Sequence, residues 1–106
     1  MESIIRFLDK ELKESFESLK EEDERLYKEI ARALENIRND AFYGRNVKKE
    51  LIPKEFRQKY GVDNLWIYNL RKDWRLLYSL ANKEIEVIAI VLDWMNHKDY
   101  ENLFGF

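Results

Sequence analysis

The chain has 106 residues, room for a single domain spanning residues 1–106 with one hydrophobic core. Hydrophobic residues make up 45% and aromatics 14%, which excludes a disordered chain, and the lack of cysteine excludes disulfides, thiol catalysis and thiolate zinc sites. A net charge of −2 runs against a general nucleic-acid binder, yet residues 41–80 carry nine Lys/Arg against four Asp/Glu, between two acidic flanks.

That basic middle third is either a local phosphate site or a set of solvated loops. Charged residues reach 38% with a single glutamine, Gln58, which leans toward a thermophilic source; eight asparagines lean the other way. The opening "MESIIRFLDKELK" has too short an apolar run for a signal peptide, and no stretch of about 18 apolar residues is present to cross a membrane. A cytoplasmic protein is expected.

In chain order, "SIIRFL" is a candidate edge strand. Asp9 is a candidate N-cap, followed by Leu12, Phe16 and Leu19 at helical spacing. "KEEDE" interrupts, and the pattern resumes with Leu26, Ile30, Leu34 and Ile37. A bend near Glu21 to Asp23 would fold the two stretches into antiparallel helices, and Gly44 closes this half. Residues 45–63 hold no sustained period and the only proline, Pro53, so a loop with one helical turn around Lys54 to Lys59 is expected.

The period then becomes two. Trp66, Tyr68 and Leu70 share one face of "LWIYNLR", and Trp74, Leu76, Tyr78 and Leu80 share one face of "WRLLYSL". "KD" is a hairpin connection, "ANKE" a second turn, and "IEVIAIVLDW" an apolar central strand. "HKDYENLFGF" closes as a short helix or ordered tail. The fold class is α+β, with two N-terminal helices on one face of a small twisted antiparallel sheet. Trp66, Tyr68, Trp74, Leu76 and Tyr78 should lie against Leu12, Phe16, Leu19, Leu26, Ile30, Leu34 and Ile37. Asn69, Arg71, Arg75 and Ser79 then fall on the opposite face, expected to be open.

Arg75 is the residue to explain, because an unpaired buried cation costs several kcal/mol. A salt bridge to Asp73 or Glu86 would account for it, and so would a phosphate ligand. His97, the lone histidine, stands three residues from Tyr100 and is either a proton-transfer group or a tail anchor. A metal site from Asp93 and His97 lacks further ligands.

Two N-terminal helices, a basic loop, the aromatic "LWIYNLR", then "WRLLYSL" and a terminal "HKDY" together resemble the RelE/ParE toxin superfamily, the toxin halves of type II toxin–antitoxin modules. The resemblance spans most of the chain, and its specific part is residues 65–100. It implies a RelE-like fold, a cognate antitoxin as partner, and mRNA in the ribosomal A site as substrate. The implied activity is that of an mRNA interferase, an endoribonuclease in which a ribose 2′-hydroxyl attacks the adjacent phosphate. No cofactor, metal or membrane is implied.

By the same resemblance Arg75 contacts the scissile phosphate, where a planar fork suits phosphate oxygens. His97 and Tyr100 correspond by type and place, though at a different spacing, to the C-terminal pair of YoeB-like relatives, with His97 as general acid. Glu50 lies near the place of their catalytic glutamate, in a loop of open register where a solvated carboxylate is the competing reading. Arg45, Lys48, Lys49, Arg71 and Lys72 are the candidate RNA-binding residues. The chain departs from RelE in carrying Ile67 and Asn69 where RelE has two strand lysines. Two alternatives therefore stand beside cleavage: a ParE-like toxin that blocks DNA gyrase without hydrolysis, and a catalytically inactive RelE-fold interaction module.

Overall fold

Two aspartates set where the first helices begin. In the computed structural model, which describes residues 1–71, 73–83 and 86–105 (backbone only at 83 and 86), α1 runs Lys10–Glu22 and α2 runs Glu24–Asn39. Asp9 Oδ1 accepts the Leu12 N–H at 2.8 Å, and Asp23 Oδ1 accepts the Leu26 N–H at 3.1 Å. Asp23 also donates its own N–H to Leu19 O at 2.8 Å, so one residue ends α1 and starts α2. Its extended φ of −155° breaks the helix. The chain doubles back: the Phe16 and Tyr27 rings stack at 4.8 Å, whereas eleven residues of unbroken helix would separate them by about 16 Å.

Five strands follow the order β1-β5-β4-β3-β2, with β1 Ile4–Phe7, β2 Arg45–Asn46, β3 Trp66–Asn69, β4 Trp74–Lys83 and β5 Glu86–Asn96. Strands β3 to β5 form the expected antiparallel meander, and β2, in a stretch expected to be loop, adds to it antiparallel to β3. β1 instead pairs parallel with β5, Ile4 opposite Ile88 and Phe7 opposite Val91, so the sheet is mixed rather than purely antiparallel. The helical hairpin carries the chain across one face to the far edge, and the meander brings the last strand back beside the first. β2 docks through Gly44, where a Cβ would meet Ile67 O at 2.6 Å and the Tyr78 hydroxyl at 2.9 Å. The "ANKE" turn also needs correction: Ala81, Asn82 and Lys83 continue β4.

One face carries the first core. Leu76, Tyr78, Ala89 and Val91 are buried beneath Leu26, Ile30, Ala33 and Ile37 of α2, with Leu12, Phe16 and Leu19 of α1 and Trp66, Tyr68 and Trp74 packed around them. The strand faces are those the period-two pattern gives.

The opposite face is not open. Ile67, Leu77 and Leu92 are buried there under Ile52, Phe56 and Tyr100. Phe56 lies on α3 (Lys54–Tyr60), the single helical turn expected from the loop grown to two; Tyr100 lies on α4 (His97–Phe104). Gly61 stops α3 in the left-handed region, φ 64°. A bulge at Leu92 sets Leu77 opposite Asp93 and Tyr78 opposite Val91. It sends Leu92 and Asp93 to the α3 side together. Without it Asp93 would point into the α1–α2 core.

Candidate functional site

Arg75 leaves β4 on the α3–α4 face, flanked across the sheet by Asn69 and Met95. Its Nη1 donates to Trp74 O at 3.2 Å, its guanidinium sits 5.5 Å from the centre of the Tyr100 ring, and its enclosed Nε–H has no acceptor. Asp73 does not reach it; the Glu86 side chain lies outside the described residues. No carboxylate pairs with Arg75 among the described residues.

Asn96 puts α4 over this arginine. Its Oδ1 caps the helix by accepting the Asp99 N–H at 2.9 Å, and the first turn then carries His97 and Tyr100 back across the sheet. His97 Nδ1 stands 3.5 Å from Arg75 Nη2, and His97 Nε2 stands 2.6 Å from Glu101 Oε1. The Glu101 carboxylate thus stands at Nε2, and Nδ1 is the ring nitrogen that faces the guanidinium. The Tyr100 hydroxyl, at the other end of the ring, accepts from Arg45 Nη2 at 3.1 Å. Two guanidiniums, an imidazole and a phenol thus meet at one place, where α4 folds onto the sheet.

Four of the residues singled out by sequence, Arg45, Arg75, His97 and Tyr100, are therefore joined by direct contacts. Glu50 is not among them. It sits exposed on a short 3₁₀ turn (Lys49–Leu51), with Lys49 exposed beside it and Lys48 exposed just before the turn. Arg71 is exposed on the other side of the β3 edge, and Lys72 lies outside the described residues. Sequence reasoning passed over Glu101, although a carboxylate four residues after a histidine on a helix is the spacing that brings two side chains together.

Asp93 stands nearby, opposite Leu77. Its Oδ2 accepts from the Tyr60 hydroxyl at 3.3 Å and its Oδ1 from the Trp94 N–H at 2.8 Å. Burial pushes its carboxyl above the usual carboxylate value. Among the described residues no three of His, Cys, Asp and Glu come together to hold a metal ion, and no helix is long and apolar enough to cross a membrane.

Neither a protein-family model, nor a curated protein, nor a solved structure matches the chain.

Proposed function

We propose that the chain is the toxin half of a type II toxin–antitoxin module, of the RelE/ParE kind, and that it cuts mRNA on the ribosome. One observation carries this reading. Arg75, without a carboxylate partner among the described residues and with an unmatched Nε–H, is gathered with Arg45, His97 and Tyr100 at a single point. Such a cluster is suited to a phosphodiester. The α1–α2 hairpin over one sheet face is consistent with a RelE-like arrangement.

The chemistry follows from charge. Attack of a 2′-hydroxyl on the adjacent phosphorus forms the O2′–P bond and breaks the P–O5′ bond, leaving a 2′,3′-cyclic phosphate and a 5′-hydroxyl. Negative charge builds on the phosphoryl oxygens, where Arg75 and Arg45 would neutralise it. The attacking 2′-hydroxyl gives its proton up to solvent, and the departing 5′-oxygen takes one from His97, which in its imidazolium form would deliver the Nδ1 proton while Nε2–H stays on Glu101. Tyr100 positions both arginines.

Arg75→Ala should abolish growth inhibition and lower mRNA cleavage on programmed ribosomes by about 10²–10³-fold. Arg75→Lys should recover part of this, since an ammonium lacks the bidentate fork. Primer extension beside circular dichroism melts checks both, and co-expression with the adjacent gene should give a stable antitoxin complex. A second reading, the ParE-like toxin that acts by binding protein, has one observation in its favour: Phe42 and Tyr43 are half exposed at the sheet edge. Cleavage by Arg75→Ala at the wild-type rate would put that reading first.

A further inference from the structure

A depression lies on the other side of the β3 edge from Arg75. It is a groove of about 1170 Å³ between α2 and β3, walled by Arg25, Lys28 and Arg32 from the helix and by Tyr43, Tyr68 and Arg71 from the strand side. The helix cations recur every three or four residues, so they line one face. Glu24 is bound to Lys28 at 2.9 Å and Glu29 faces Arg25 at 3.8 Å; Arg32 and Arg71 have no ion-pair partner among the described residues. Two free guanidiniums therefore project into a groove with a positive balance, on a chain that is acidic overall.

The floor between them is aromatic. Tyr43 stacks on Tyr68 at 5.3 Å, and Asn36 Nδ2 holds the Tyr68 hydroxyl at 2.8 Å, so the platform is fixed from behind. The outer side of Tyr43 remains free, the residue being 56% exposed. A smaller depression of about 370 Å³ continues from it across the edge, sharing Tyr43, Tyr68 and Asn69 with the groove and adding Gly44 and Arg45. β2 is only two residues long, which leaves this part of the β3 edge uncovered. Arg45 in turn holds Tyr100 at the Arg75 cluster. The two depressions thus run from Arg32 to Arg45, and Arg45 touches the Arg75 cluster through Tyr100.

We propose that this surface is a track for single-stranded RNA, in which a base stacks on Tyr43, flanking phosphates engage Arg32 and Arg71, and the strand crosses the β2–β3 edge by Arg45 to reach Arg75. The assignment rests on the interferase reading for what happens at Arg75, but not for the groove itself. Unpaired bases have a π-face for Tyr43 and arginine forks fit phosphate oxygens, whereas an acidic peptide would leave the aromatic platform unused.

The probe is a labelled, uncleavable 2′-O-methyl RNA of about 12 nucleotides, titrated by anisotropy at several salt concentrations. Tyr43→Ala should weaken binding about 5- to 150-fold and leave the salt slope alone, while Tyr43→Phe retains binding. Arg32→Ala with Arg71→Ala should flatten the slope of log affinity against log salt by about 1.4, two single-strand phosphates, and the paired lysine replacements should restore it. The charge-matched control is Lys10→Ala with Lys13→Ala on α1, away from the groove. Groove variants that bind like this control overturn the track, as does a poly-glutamate peptide that outcompetes RNA at the groove. Cleavage on ribosomes separates the two ideas. If wild type cuts and Arg75→Ala does not, while the groove variants bind RNA normally, only the track falls. If RNA binds through the groove and wild type cuts nothing, the interferase reading falls and the track stands.

Discussion

Tyr78 is fully buried, yet its hydroxyl makes two hydrogen bonds, donating to Ala41 O at 2.9 Å and accepting from the Gly44 N–H at 2.9 Å. Both partners lie in the loop between α2 and β2, so one phenol on β4 fixes the loop that presents Tyr43 and Arg45. Tyr78→Phe keeps the ring but orphans a carbonyl and an amide, at a cost of about 1–3 kcal/mol. Thermal unfolding should fall by roughly 5–15 °C. Burial also pushes the Tyr78 hydroxyl from 10.0 up to about 12, and burial followed by the nearby Asp93 charge does the same for Tyr60. A folded value raised above the unfolded one means that the stability is whole below pH 10 and is lost as pH climbs toward 12. Melting curves across that window should therefore drop steeply in wild type and less steeply in Tyr78→Phe. Equal slopes would mean that the phenol is not shielded from water in solution.

At the scale of elements, α4 is the piece that assembles the candidate site, and Asn96 is the residue that starts it. Asn96→Ala removes the cap on the Asp99 N–H, at about 1 kcal/mol. The loss should concentrate in α4. Hydrogen exchange in residues 97–104 should quicken while the α1–α2 half stays protected, and under the proposed interferase function mRNA cleavage should fall in parallel. Exchange rising evenly over the whole chain would show that the cap supports global stability instead. The helices and the meander were legible in the sequence because their signals are local: Asp9 three residues before Leu12, the 3.6-residue spacing from Leu26 to Ile37, and the alternation from Trp66 to Tyr78. The cover on the second face was not, because Phe56, Tyr60 and Tyr100 are isolated apolar residues amid charge, and only their three-dimensional neighbours mark them as core. The Arg75 cluster joins residues up to 55 apart in sequence. Residue type suggested three of its members through their resemblance to toxin residues, and the tail helix brings them together.

Over the whole molecule, the feature that no local pattern encodes is the closure of the sheet by its first strand. Ile4 to Phe7 pair with Ile88 to Val91, a parallel register between opposite ends of the chain, and only the competition among possible edges decides it. β1 also delivers Phe7 to Phe16 at 5.4 Å, and Phe16 reaches Trp94 at 6.4 Å, so the strand ties the helical hairpin to β5. Removing residues 1–8 takes Ile5 and Phe7 out of the first core, a loss of about 3 kcal/mol for two part-buried side chains. A domain with about 5–15 kcal/mol in hand can survive that. What it cannot escape is the edge left behind. The strand uncovered is "IAIV", residues 88–91, apolar on both faces and without the Arg6 that β1 places along the native edge. The truncated chain should keep helical circular dichroism but elute as oligomers in size exclusion with light scattering, increasingly so at higher concentration. Ile88→Lys in the truncated chain should return it to monomer by placing a charge on the open edge. A truncated chain that stays monomeric without the lysine would show that β1 serves only to pack Phe7, and that β5 is protected by something other than its partner strand.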